Sequence, residues 1–459
     1  MKVLKFGGTS VGSIESLNNV KKIVEAIDGK AIIVVSALGG LTDKLISSAQ
    51  IAAKGDESWR KEMTSIKERH YKIIEEVVSE IKRKEVSEKV ESQLTALERL
   101  YEGVFLLRAL PENVLDSIVS FGERISSVIV AAMIEKGKRY FSPDFIKTEK
   151  WYGKNSASQK ETERLIKETF SSMEDEEKAI VPGFISKDIS TGEITNLGRG
   201  GSDYTGALIA ASLDAEILEI WTDVDGFMTA DPRIVDEALV IDHLSFTESM
   251  ELCTFGAKVV YPPTIYPVFH KNIPIKILNT FNPTAPGTLI TDQTLSDDKE
   301  LKGVTALKDV SLISMEINND KVIDNPLKRA FNILSKQAVR IIPVLNPDPQ
   351  KEISFAVTNS DIYKTLEMLG HEFSPEITKG IIKKPDLKEK MAAIAIVGKD
   401  MRGKIRLAAR IGHSLRRQGI NVYANSVGGS ETTLVYIIKQ EKSSEALPLI
   451  HSLLFDTSL

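Results

Sequence analysis

Cysteine is almost absent. Cys253 is the one thiol among 459 residues, so no internal disulfide can form. The six histidines lie far apart and offer no metal-ligand spacing. No run is long enough to cross a bilayer; the apolar stretch from Ala31 to Leu38 is only strand-sized. The first residues enter a strand at once, with no signal or transit segment ahead of it. Excess charge is also lacking. Lys and Arg number 59 against 64 Asp and Glu, a net charge of −5, which argues against a non-specific grip on nucleic acid. These absences predict a cytoplasmic protein with neither membrane nor nucleic-acid partner. With 42% hydrophobic and 27% charged residues, the chain can bury a sizeable core. Its length suggests roughly two to four domains.

The richest stretch runs over residues 194–233. It opens on Leu197-Gly198-Arg199-Gly200-Gly201-Ser202-Asp203, a glycine loop carrying one cation and one anion. An apolar-striped helix follows, with Ala207, Leu208, Ala210, Ala211 and Leu213, and then a strand, Ile217–Trp221. That strand ends in Thr222-Asp223-Val224-Asp225-Gly226. Glycines let a backbone approach a ligand, Ser202 is placed to cap the helix, and the helix start offers free N–H groups to an anion. Arg199 adds a fork for carboxylate or phosphate. A tight turn with a capping serine and a solvated arginine would have the same local sequence.

Two further strands end in comparable loops. Lys2–Phe6 runs into Gly7-Gly8-Thr9-Ser10, followed by a predicted helix from about Ser13 to Ala26. The lysine precedes the glycines, so this is not a Walker A loop. Lys5 is the sharper feature, a charge at the end of an apolar strand. Lys30–Ala37 runs into Ser36-Ala37-Leu38-Gly39-Gly40-Leu41-Thr42-Asp43, with a helix expected from about Asp43. Alternating strands and helices predict a parallel α/β sheet, whose ligands gather at the strand C-termini.

Residues from about Asp56 to Arg108 predict long helices standing off that sheet. Val114–Lys136 predicts another, containing Ser120-Phe121-Gly122-Glu123-Arg124. There Glu123 is either a surface ion-pair partner or an acid set into an apolar site. A strand is expected over Lys178–Ser186, a helix around Phe246–Cys253 and a strand over Ile273–Asn279. The polar run Asp292–Glu300 predicts a linker. Beyond it a βαββα order recurs. The first copy has Val310–Ile317, Asn325–Ser335, Val339–Val344, Ile353–Val357 and Asp361–Leu369. The second has Ala392–Val397, Ile405–Gln418, Asn421–Val427, Thr432–Ile438 and Ser444–Leu454. Such units bind small molecules at the seam or serve purely as dimerisation modules.

Taken in order, KFGGTSV, SFGER, LGRGGSDY, WTDVDG, TADPR and FGAKVVYP resemble the aspartokinase family. The tail is similar to the paired ACT regulatory domains of the same enzymes, and an end at Leu459 resembles the monofunctional form. The resemblance implies an amino acid kinase fold over 1–292, a mostly parallel sheet sandwiched by helices. Two ACT-like βαββαβ (ferredoxin-like) units follow, 303–390 and 391–459, intertwined. It implies transfer of the ATP γ-phosphoryl group to the β-carboxylate of L-aspartate, with Mg²⁺ carried mainly on the nucleotide and no separate metal ligands. This is the first step towards lysine, threonine and methionine. Lys5 and Asp203 would be catalytic, Lys5 acting with the Gly7 and Gly8 amides. Thr42, Glu123, Arg199 and Ser202 would hold aspartate, and Lys5, Phe6, Gly7, Gly8, Ser36, Thr222, Asp223, Met228, Arg233, Lys258 and Val259 would line the nucleotide site. A lysine or threonine effector and a homodimer, or higher homo-oligomer, through the ACT domains are implied as well.

The chain departs from the family pattern in places. Met228 stands where a tyrosine is frequent, and Pro263 where an arginine is. The loop Asn318–Asn325 lacks glycines, and Asn346-Pro347-Asp348-Pro349 replaces a hydroxyl-rich segment, whereas Gly428-Gly429-Ser430-Glu431 is kept. Two other readings stay open: a kinase of the same fold acting on glutamate, acetylglutamate or a nucleotide, and a catalytically silent ACT-type regulator.

Overall fold

The computed structural model describes residues 1–151, 154–292, 299–318, 325–337, 339–344, 351–427 and 431–455. Most of the expected linker, most of the Asn318–Asn325 loop, the Asn346–Pro349 segment and Gly428–Ser430 lie outside the described residues. The chain divides into two compact units, Met1–Phe227 with Val259–Asp292, and Met228–Lys258 with Gln293–Leu459. The boundary expected at residue 292 is therefore crossed by an inserted segment. Ala230 and Val235 share an apolar core with Ile394, Ile411, Leu415 and Ile450, and this packing draws Met228–Lys258 into the second unit.

In the first unit the strands are β1 (Lys2–Phe6), β2 (Ala31–Val35), β3 (Gly137–Arg139), β4 (Lys147–Trp151), β5 (Lys154–Ala157), β6 (Lys178–Pro182), β7 (Ile185–Asp188), β8 (Ile194–Asn196) and β9 (Ile217–Thr222). After β10 (His243–Leu244) of the second unit come β11 (Ile275–Asn279) and β12 (Thr288–Ile290). The main sheet runs β12-β11-β9-β1-β2-β6-β3. Every pairing from β11 to β3 is parallel, and β12 is antiparallel to β11. The all-buried AIIVV of β2 has the composition of a strand covered on both faces. A small sheet, β5-β4-β7-β8, stands beside it. Its strands alternate too briefly to be read from the sequence, and β7 separates from β6 at Gly183-Phe184, inside the expected Lys178–Ser186 strand.

The helices α1 (Ile14–Glu25), α2 (Leu41–Ala53), α3 (Trp59–Val77), α4 (Glu80–Leu107), α5 (Glu112–Met133), α6 (Gln159–Phe170) and α7 (Gly201–Ser212) complete this unit, with α9 (Tyr266–His270) after α8 (Phe246–Thr254) of the second. A capping box of Ser13 and Ser16 starts α1. The expected helical excursion is α3 and α4. Trp59, Val90, Leu94, Leu97 and Tyr101 are fully buried there and continue the core of the sheet.

The second unit adds β13 (Leu301–Glu316), α10 (Pro326–Lys336), β14 (Ile341–Pro343), β15 (Glu352–Thr358), α11 (Ile362–Glu372), α12 (Ser374–Thr378), β16 (Asp386–Gly398), α13 (Ile405–Arg417), β17 (Val422–Val427), β18 (Thr433–Lys439) and α14 (Ser443–Phe455). The expected βαββα repeat is present twice. Both copies belong to one antiparallel sheet, β14-β15-β13-β16-β18-β17. β13 begins earlier than expected because Leu301–Leu307 pairs with the end of β16, while Val310–Ser314 pairs with its start.

Within the first unit, α5 lies so close to the end of β2 that a Cβ on Gly122 would sit 2.6 Å from Ala37 Cβ. Gly122→Ala should lower stability by about 1–3 kcal/mol in a denaturant titration. Gly103→Ala on α4, where an added Cβ meets nothing within 4 Å, should be neutral or stabilising.

Candidate active site

The C-terminal ends of β1, β2 and β6 face the start of α7 across a cavity of about 330 Å³. Lys5, Gly8, Ser36, Thr42, Glu123, Arg199, Ser202 and Asp203 line it, together with the two glycine loops and Phe184. All four residues expected to hold the amino-acid substrate and both expected catalytic residues thus meet in one place.

The glycines have separate tasks. The β1 and β2 loops touch backbone to backbone: a Cβ on Gly8 would lie 3.2 Å from Ala37 O, and one on Gly39 would lie 3.0 Å from Gly8 O. In the third loop Gly200 takes φ +70° and occupies the cap position of α7, which makes no side-chain capping bond. Ser202 was expected at that cap; it falls instead within the first turn. Gly200 claims the cap because the left-handed backbone there suits glycine, and Ser202 is left to line the cavity. The Gly201 and Tyr204 amides bond within the loop. The Ser202 and Asp203 amides are among the donors that a helix start leaves over.

The charges are held in three ways. Lys5 is 9% and Asp203 8% exposed, and Lys5 Nζ lies 2.6 Å from Asp203 Oδ1. Arg199 has no carboxylate partner among the described residues; its guanidinium lies over the Tyr261 ring at 5.7 Å. Glu123 is 4% exposed, its Oε2 has no hydrogen-bond partner, and burial pushes its carboxyl up to about 8, against a smaller lowering by a hydrogen bond from the Ala37 backbone. The surface ion-pair reading of Glu123 is thereby excluded. The cavity combines a cation without an acid, a neutral buried acid and a pre-formed ion pair.

The other expected residues are placed differently. Phe6 is buried and stacks on Trp221 at 5.9 Å. The Gly7 amide already donates to the Trp221 carbonyl at 3.0 Å, so of the glycine pair only Gly8 lines the cavity. Thr222 and Asp223 lie at the C-terminal end of β9 outside the cavity lining, with Thr222 Oγ1 donating to Asp223 Oδ1 at 3.1 Å. Nearby, Asp225 Oδ1 accepts from Asn279 and Asn282. Val259 belongs to the first unit, whereas Met228, Arg233 and Lys258 belong to the second. There Met228 bridges Val240, and Arg233 forks onto Asp231 at 2.8–2.9 Å.

Phe184 was missed as a lining residue. Its φ of +68° is rare for a bulky side chain. Its amide donates to Thr205 Oγ1 and its carbonyl accepts from Leu197, which ties the end of β6 to α7 and to the glycine loop. The glycine before it was the one available signal. Among the described residues no helix is long and apolar enough to cross a membrane.

Residues 1–279 match the amino acid kinase family, and residues 394–454 match an ACT domain. A bifunctional aspartokinase/homoserine dehydrogenase of Buchnera aphidicola is 32% identical over 467 residues, covering 99% of this chain and 56% of that protein. The chain spans about half the length of the bifunctional relatives it matches. The crystal structure of E. coli aspartokinase III in complex with aspartate and ADP (R-state) aligns with TM-score 0.83 at 25% identity, over 99% of this chain and 100% of that one. The structure of the same protein in complex with lysine and aspartate (T-state) aligns with TM-score 0.75 at 25% identity and the same coverage.

The raised Glu123 carboxyl predicts how stability changes with pH. Between its ordinary value of 4.5 and about 8, the folded chain keeps a proton that the unfolded chain has released. Stability therefore falls as pH rises through that window and levels off above it. Glu123→Gln removes this slope. Its melting temperature, relative to the parent protein, should climb from pH 5 to 8 in buffer without substrate; a constant difference would refute the assignment.

Proposed function

We infer, for a chain that belongs to the amino acid kinase family, that it is an aspartokinase. It transfers the γ-phosphoryl group of ATP to the β-carboxylate of L-aspartate, giving 4-phospho-L-aspartate. One observation carries this reading: Arg199 and Glu123, neither with an ion-pair partner among the described residues, face the same cavity as the Lys5–Asp203 pair. A free amino acid supplies what both lack. Its α-carboxylate suits the Arg199 fork, and its α-ammonium suits a Glu123 that ionises on contact. An N-acetylated acceptor has no ammonium to offer. The relative whose structure aligns along the whole chain was crystallised with aspartate and ADP.

The chemistry asks little covalent work of the protein. A carboxylate oxygen is already nucleophilic; it forms a bond to the γ-phosphorus as the bond to the β,γ-bridging oxygen breaks, and ADP leaves. Two anions must be brought in line and their charge offset. Lys5, the Gly8 loop and the α7 amides surround the place where that charge collects. Thr42 and Ser202 complete the aspartate subsite, and Ser36 stands on the phosphoryl side. At the end of β9, Thr222 and Asp223 would take the nucleotide, together with Val259. Among the described residues no three His, Cys, Asp or Glu side chains could together hold a metal ion. Asp203 fits the part of a single carboxylate ligand to Mg²⁺ arriving on the nucleotide phosphates. When bound there, Mg²⁺ neutralises phosphate charge.

The second unit carries the regulatory reading. Residues 303–390 and 391–459 form a tandem ACT-like pair that senses an end product and joins chains into a homodimer or larger assembly. The ACT match over 394–454 and the lysine bound to E. coli aspartokinase III support this. Lysine is the first effector to test, then threonine. The step so regulated is the entry to lysine, threonine and methionine synthesis.

ADP release should be measured with Mg²⁺–ATP and L-aspartate, beside L-glutamate and N-acetylglutamate. Turnover on aspartate alone is expected. Lys5→Ala should lower kcat about 10²- to 10³-fold. Arg199→Ala should raise KM for aspartate about ten- to a hundredfold. Exchange of these two effects, or turnover on another acceptor, overturns the assignment.

A further inference from the structure

Outside the cavity lining, one acid joins two of the cavity's walls. Asp116 lies on α5, two turns before Glu123, with about 10 Å of helix rise between them. Its Oδ1 accepts a hydrogen bond of 2.8 Å from Asn196 Nδ2, and its Oδ2 a longer one of 3.4 Å from Asn155 Nδ2 on β5. Asp116 and Asn196 are both half-buried. Burial pushes the Asp116 carboxyl up, and the Asn196 bond is the foremost influence opposing that rise.

Asn196 ends β8, and the glycine turn starts from it. The Leu197 amide donates to Phe184 O at 2.9 Å, and the Gly201 amide closes the turn by donating to Gly198 O at 3.0 Å. Arg199 sits inside that turn, between Gly198 at φ +74° and Gly200 at φ +70°. The leg entering α7 is walled in: a Cβ on Gly201 would lie 2.7 Å from Phe184 Cδ2. The leg leaving β8 is more open, since a Cβ on Gly198 would meet nothing within 4 Å. Only Leu197 and Gly198 separate Asn196 from Arg199, so a shift of Asn196 passes to Arg199 with little slack. A carboxylate only accepts, so the Asn196 amide has to turn Nδ2 towards Asp116. This leaves Asn196 Oδ1 buried with no hydrogen-bond partner among the described residues, a cost borne in favour of the bond to Asp116.

We propose that Asp116 is a positioning residue. Through Asn196 it sets the place of Arg199 relative to Glu123, and so the span between the grips on the acceptor's α-carboxylate and α-ammonium. The assignment of those two groups rests on the aspartokinase reading, whereas the tie between α5 and the turn is independent of it. Lys5 and Asp203 keep their own ion pair at 2.6 Å, so the effect of Asp116 falls on acceptor binding rather than on phosphoryl transfer.

The experiment is a double-mutant cycle on the full chain, with kcat and the KM values for L-aspartate and ATP measured for each variant. Asp116→Ala and Asn196→Ala should each raise KM for aspartate roughly tenfold. Their kcat and KM for ATP should stay within about twofold of the parent. Asp116→Asn keeps an acceptor oxygen for Asn196 and should behave as the parent does. In an Arg199→Ala background, Asp116→Ala should add less than about twofold, because a residue acting through Arg199 has nothing left to place. Asn113→Ala breaks an exposed 3.2 Å bond from α5 to Glu193 and serves as the control. Hydrogen exchange supplies a readout independent of turnover: the amides of 197–201 should exchange faster in Asp116→Ala but not in Asp116→Asn, while β1 and β2 keep their protection. A full tenfold effect in the Arg199→Ala background, a loss of kcat with KM unchanged, or unaltered exchange in the turn would each overturn the proposal. If the parent turns over glutamate instead, the aspartate reading fails and the same cycle on glutamate decides the positioning role. If it turns over no acceptor, the exchange result alone supports or overturns the tie.

Discussion

A lysine cannot end a buried parallel strand without a partner, and much of the first unit follows from how Lys5 finds one. Its neighbours in β1 and the adjoining residues of β2 and β9 are apolar, so its amine must emerge at the C-terminal edge of the sheet. Asp203 meets it there at 2.6 Å. Because Asp203 lies in the first turn of α7, the pair fixes that helix start over the strand ends. The glycine loop before α7 is then obliged to turn in a left-handed conformation at Gly200. The close approach of the β1 and β2 loops and the tight seat of α5 on Ala37 complete the walls. Removing the amine would leave a carboxylate at a nearly buried position, a heavier loss than the pair itself would suggest.

Glu123 uses burial in the opposite sense. No described residue pairs with it, and burial favours its protonated form. An ammonium group entering the cavity would reverse that preference. Arrival of the amino acid would therefore be coupled to release of a proton from the Glu123 carboxyl. The cavity sets two acids in different surroundings: Asp203 lies 2.6 Å from a lysine, and Glu123 is buried with no ion-pair partner among the described residues.

Much of this was legible in the sequence, and the rest has identifiable physical causes. Lys5 stood out because an apolar strand rarely ends in a charge, and Arg199 and Asp203 because glycines bracketed them. Both repeats of the second unit were visible through periodicity. Glu123 was ambiguous, since an acid on a helix looks alike whether it faces water or a cavity. Phe184 was hidden because a positive φ on an aromatic residue has no local signature; packing of Gly201 and Thr205 imposes it. Ser202 was misplaced by two positions because glycine, rather than a hydroxyl, took the cap. The membership of Met228–Lys258 depends on contacts with residues more than 100 positions later, which no window of sequence can show.

The pairing of β13 with β16 has a mechanical meaning. These two strands are the innermost of their sheet, and each carries residues of both repeats' cores. Neither repeat can slide, tilt or loosen without moving a strand that the other also owns. Along this shared spine the ladder is irregular between Leu307 and Leu312, where the register shifts twice. A displacement of one repeat would bend a strand that also belongs to the other, and the irregular stretch is where the ladder has fewest regular pairings to oppose that bend.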